Sequence, residues 1–175
     1  NLYTNYLARW NLRYVLSLLT AMKEEKADAY HALVEKTGLT ECEMETWREV
    51  QEKIYLPRKE GTKLLEQFEG YFELDNVTIE QYDENDWPVR PEALKTKKAS
   101  ETQITKQADV VMLLHLLSEE FDEETMKENY TYYEKRALHG SSLSPSIFSV
   151  MGLKVGDDSK AYRYLRRAAF IDLLN

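Results

Sequence analysis

The stretch richest in chemistry is His139-Gly140-Ser141-Ser142-Leu143-Ser144-Pro145, an imidazole and three hydroxyls around one glycine, just ahead of a predicted helix. A helix N-terminus offers unpaired amides and the positive end of the helix dipole, which together suit an anion. A phosphate there would meet the serine hydroxyls, the backbone N–H groups and a protonated or N–H-donating His139. The same residues also fit a plain loop in which Ser144 caps the helix, with Pro145 at its first position. Upstream, Glu134 follows Tyr132-Tyr133. Such a carboxylate could accept hydrogen bonds from sugar hydroxyls while the aromatics support the sugar ring; an exposed helix-terminal charge is the alternative. Lys106-Gln107 opens a strongly apolar segment, where a charge is costly unless paired or facing a cavity.

Other residues exclude chemistries. The lone Cys42 rules out an internal disulfide and a Cys-rich zinc site, and is consistent with a reducing cytosol. With no histidine or second cysteine nearby, it reads as a small buried residue. His31 and His115 lack ligand spacing and read as structural. No Gly-rich phosphate loop, HExxH or nucleophile elbow occurs.

The elements that must position these groups are helices. Apolar periodicity predicts them over 3–23, 25–37, from the Thr40 cap to before Pro57, and over 103–118, 123–135, 145–154 and 158–173. Gly38 stops the second, Thr40 and Glu43 form a capping box for the third, and Asp122 caps the fifth. The first and fourth are apolar on more than one face, as expected of helices enclosed on both sides. Between 56 and 100 the helical rhythm lapses into an irregular or β-containing insertion. There Gly70–Leu74 and Val77–Ile79 have strand-like composition and 62–69 could be helical.

Composition agrees. Only 6 Gly and 4 Pro in 175 residues argue against an all-β fold with many tight turns. Lys+Arg 23 against Asp+Glu 31 gives a net charge of −8, which disfavours nucleic acid and anionic membranes as partners. No apolar run is long enough to span a membrane. The start at Asn1-Leu2-Tyr3 suggests a truncated or processed chain.

Three pieces taken in order carry a family resemblance: Tyr3-Thr4-Asn5-Tyr6-Leu7-Ala8 with Trp10-Asn11-Leu12; Lys106-Gln107-Ala108-Asp109-Val110; and Tyr132-Tyr133-Glu134-Lys135-Arg136 running into His139–Ser146. Gly70-Tyr71-Phe72 and the closing Ala168-Ala169 with Asp172-Leu173 add to it. Over essentially its whole length the chain resembles the second half of the catalytic domain of glycoside hydrolase family 65, the inverting α-glucoside phosphorylases.

The resemblance implies an all-α fold forming part of an (α/α)6 barrel, with residues 1–175 its C-terminal portion. It implies that Lys106, Gln107 and Glu134 hold a glucose unit and that His139, Gly140, Ser141 and Ser142 bind inorganic phosphate. The general acid is then expected upstream of Asn1, no catalytic residue or metal site is assigned here, and the stretch alone should be inactive. The reaction implied is phosphorolysis of an α-linked glucose disaccharide to β-glucose 1-phosphate plus glucose. Phosphate is the co-substrate, no cofactor is needed, and the full-length enzyme is a cytoplasmic homodimer. A family hydrolase using water, or a non-catalytic helical interaction domain, are the alternatives.

Overall fold

The computed structural model describes residues 1–171 and 173; Asp172, part of the resemblance, lies outside the described residues. Seven α-helices and no strands occur among the described residues, and the chain divides into a unit over Asn1–Leu56 and a second from Pro57 onward.

The first unit packs α1 (Leu2–Glu25) against α2 (Ala27–Thr37) and α3 (Glu41–Lys53). Asn1 caps α1 by accepting from the Thr4 amide at 3.4 Å. Gly38 ends α2 in the left-handed region (φ 69°), and the Thr40–Glu43 capping box opens α3. Leu19, Tyr30 and Met44 form the core, flanked by Val15, Leu16, Leu33, Val34 and Trp47. Only one side of α1 is covered within this unit. Tyr14 and Leu18 are exposed on the other, so the expected two-sided enclosure is not present here. Cys42 is exposed, not buried, because it lies off the face that carries Met44 and Trp47.

The second unit begins with the predicted insertion, which is irregular. The 62–69 stretch is not helical, and Tyr71–Glu73 forms a 3-10 turn, not a strand. Side chains from later elements hold this segment in place. Asn129, fully buried, accepts from the Leu65 amide and donates to the Lys63 carbonyl, each at 2.8 Å. The Tyr133 hydroxyl donates to the Leu65 carbonyl at 2.6 Å, and the Gln103 amide donates to the carbonyls of Phe72 and Leu74. Each bond satisfies a backbone group that regular structure would otherwise pair.

Helix α4 spans Asp109–Leu116 and starts well after the predicted 103. Residues before it stay out of the helix, because the Thr105 amide donates to the Arg136 carbonyl (2.8 Å) and the Leu138 amide to the Thr105 carbonyl (2.9 Å). This short parallel bridge places Lys106 beside the end of α5 (Glu123–Glu134). Val110, Val111, Leu113 and Leu114 are all buried, so α4 is enclosed as its composition predicts. Helices α6 (Leu143–Lys154) and α7 (Asp158–Phe170) form a hairpin through Gly156, which has φ 80°. Helix α6 starts at Leu143, two residues before the predicted position. Ser144 therefore sits inside its first turn and is not the cap; its side chain is drawn elsewhere.

Candidate functional site

The last residue of α5 turns its carboxylate inward. Glu134 is buried, with Lys160 Nζ 2.8 Å from Oε2 and the Tyr164 hydroxyl donating to Oε1 at 2.9 Å. Lys160 and Tyr164 are one helical turn apart on α7, so both reach the same place. Burial with two donors replaces the alternative of an exposed terminal charge.

The backbone then leaves α5 and passes His139 in a left-handed conformation (φ 52°), which a non-glycine residue adopts at a cost. What holds it there is its ring. Nδ1 lies 2.8 Å from Ser144 Oγ and Nε2 lies 3.3 Å from the Tyr164 hydroxyl. Phe148 packs edge-on at 4.9 Å between centroids. Tyr164 has a single proton, and the Glu134 carboxylate can only accept it. We therefore assign the proton of His139 to Nε2, donating to the Tyr164 oxygen, and leave Nδ1 to accept from the Ser144 hydroxyl. Burial, and then the charge of Arg167, lower the His139 pKa from 6.5 to about 3. Of the two forms expected of the imidazole, the structure keeps the neutral one.

Gly140, Ser141 and Ser142 follow at the surface of the unit, ahead of α6, whose first turn has no side-chain cap. The Gly140 amide donates to the Lys106 carbonyl at 2.8 Å, and a Cβ on Gly140 would stand 3.2 Å from Lys106 Cγ. The candidate anion loop and the Lys106-Gln107 pair are thus side by side, with both Lys106 and Gln107 exposed. Glu134 and the His139 ring are buried and joined to each other through Tyr164.

Both tyrosines before Glu134 already have protein partners. Tyr133 is buried and bonded to Leu65, while Tyr132 stacks on the Arg136 guanidinium at 3.7 Å and bonds to Gln103. Tyr164 and Lys160 carry no local motif, and Ser144, which fits a cap by type, serves His139 instead. A signal was present: both α7 residues fall on the stripe of buried Ala161 and Arg167, where a lysine and a phenol need partners. Among the described residues, no group of acidic, histidine or cysteine side chains could hold a metal ion.

A profile of the glycosyl hydrolase family 65 central catalytic domain matches residues 1–175. The chain belongs to this family. Kojibiose phosphorylase from Thermoanaerobacter brockii is 52% identical over 175 residues, covering 100% of this chain and 23% of that protein. An alpha,alpha-trehalose phosphorylase from the same organism is 33% identical over 173 residues, covering 99% and 22%. The solved structure of a provisional kojibiose phosphorylase from the human microbiome superposes with a TM-score of 0.77 at 31% identity, covering 99% of this chain and 22% of that one. The chain spans less than a quarter of the length of the curated relatives it matches. Its all-α architecture is that of part of a family 65 (α/α)6 barrel.

Proposed function

We propose that this chain is part of an inverting α-glucoside phosphorylase, splitting an α-linked glucose disaccharide with inorganic phosphate into β-glucose 1-phosphate and glucose. The observation that carries the reading is the Gly140–Lys106 hydrogen bond, which sets a serine-bearing helix entrance against an exposed lysine and glutamine. Relatives bearing phosphorylase names support it, as does identity of 52% to a kojibiose phosphorylase against 33% to a trehalose phosphorylase. Kojibiose is therefore the disaccharide to test first.

In this reading Lys106, Gln107 and Glu134 hold the glucose unit, Lys106 and Gln107 from the exposed side and Glu134 from beneath. His139, Gly140, Ser141 and Ser142 take the phosphate. Ser141 and Ser142 donate hydroxyls, Gly140 lets the backbone approach, and His139 fixes the turn, since both of its ring nitrogens are already engaged. Phosphate attacks the anomeric carbon from the face opposite the leaving oxygen, while an acid protonates that oxygen. An inverting hydrolase needs a second carboxylate to activate water. Phosphate is already charged and nucleophilic, so the cradle takes that carboxylate's place. No residue of this chain is assigned as the acid.

The reading includes no cofactor beyond phosphate as co-substrate, a cytoplasmic enzyme and a homodimer at full length. Among the described residues no helix is long and apolar enough to cross a membrane.

The test uses the full-length polypeptide that contains this chain. Glucose 1-phosphate should form from kojibiose only with phosphate present, and Ser141→Ala should raise the phosphate KM about tenfold or more. Phosphate-independent release of glucose would instead indicate a hydrolase. Indifference of phosphate binding to Ser141→Ala would favour a helical interaction domain.

A further inference from the structure

Tyr164 touches both halves of the candidate site, the Glu134 carboxylate and the His139 ring. We propose that Tyr164 is a positioning residue that links the sugar-binding carboxylate of Glu134 to the phosphate-binding turn at His139–Ser142, so that the two subsites fill cooperatively. The proposal rests on the phosphorylase reading above.

The geometry is a chain of polar contacts. Lys160 meets Glu134, Glu134 accepts from Tyr164, Tyr164 accepts from His139, and His139 accepts from Ser144. Tyr164 is 3% exposed, so water cannot readily replace its hydroxyl. Burial and the neighbouring Glu134 charge push its pKa upward, so it remains a neutral donor. Glu134 uses one bond on each carboxylate oxygen, which leaves lone pairs for sugar hydroxyls.

At the other end, the His139 ring is held by a hydrogen bond on each nitrogen, and its backbone is held at φ 52°. The anchored ring fixes the position of the His139 backbone, from which the Gly140 amide and the serines follow. A sugar that fixes Glu134 therefore also fixes Tyr164, His139 and the turn. Phosphate arriving second finds that turn already ordered and loses less conformational freedom on binding. Linkage requires the converse as well: phosphate tightens the sugar by the same factor.

The experiment is calorimetric titration of the full-length polypeptide with inorganic phosphate, with and without saturating glucose. In the unmodified enzyme, glucose should tighten phosphate about fivefold or more. Tyr164→Phe keeps the ring against His139 and Phe148 but removes the bridge, and the ratio should fall to about one. Ser144→Ala cuts the far end of the chain without touching Glu134 and should lower the ratio too. A purely structural tyrosine would weaken both titrations together and leave their ratio unchanged.

A ratio of one in the unmodified enzyme, or a ratio untouched by both variants, overturns the proposal. If Tyr164→Phe does not fold, the Ser144→Ala ratio decides alone. Loss of phosphate binding in Ser141→Ala, with an unchanged ratio in the other two variants, would refute only the coupling. Phosphate binding indifferent to Ser141→Ala would refute the underlying reading.

Discussion

The hydroxyl of Tyr130 lies where a side chain on residue 152 would have to go. A Cβ built on Gly152 would stand 2.9 Å from it, and 3.1 and 3.2 Å from Cβ and Cα of Ala161. Gly152 is therefore the contact at which α6 closes on both α5 and α7. Gly152→Ala should force these helices apart and cost about 1–3 kcal/mol, read as a lower unfolding temperature. The Tyr130 hydroxyl has no hydrogen-bond partner although it is buried. Tyr130→Phe should consequently be neutral or slightly stabilising, and should soften the effect of Gly152→Ala in the double variant.

Lys160 compensates the buried Glu134 charge. Lys160→Met leaves the carboxylate with Tyr164 as its one remaining side-chain donor among the described residues. Because the lysine is itself 31% exposed, the cost should fall between that of a surface pair and that of a fully buried one, about 2 kcal/mol. Faster amide exchange at the C-terminal end of α5 and in α7 would register it; unchanged exchange there would contradict it.

The neutral, buried His139 makes a pH prediction. Its folded pKa is about 3 and its ordinary value 6.5. Above pH 6.5 neither folded nor unfolded state binds the proton, and the group has no effect. As pH falls below that value, the unfolded state takes a proton that the folded state refuses, so stability is lost until about pH 3. Within this window the contribution is about 1.4 kcal/mol per pH unit. His139→Gln, though less stable at neutral pH, should show a flatter decline in unfolding midpoint between those limits. Parallel declines would show that His139 is not the group responsible.

In the first unit, Thr40 and Glu43 satisfy each other's amides at the start of α3. Thr40→Ala should cost about 1 kcal/mol, whereas Thr40→Ser should be nearly neutral. Urea midpoints of the two variants measured together check the difference.

Much of this was legible along the chain, because the signals are local. The Thr40–Glu43 box, the Gly38 stop, the Asp122 cap and the apolar wrap of α4 depend on residues within a turn of one another. The grouping of Lys106-Gln107, Glu134 and His139–Ser142 followed from resemblance, and by itself the sequence determined a helical protein with those residues as its candidates. Only tertiary structure decided their states. Residues 103–108 read as helix by composition, yet the bridge between Thr105 and Ala137 keeps them out of the helix, and the Lys106 carbonyl meets the Gly140 amide. Ser144 had the chemistry of a cap, but a histidine five residues earlier claimed its hydroxyl. The partners that bury the Glu134 charge and set the His139 proton lie on α7, remote in sequence, and no local pattern encodes which distant donor will meet a buried carboxylate.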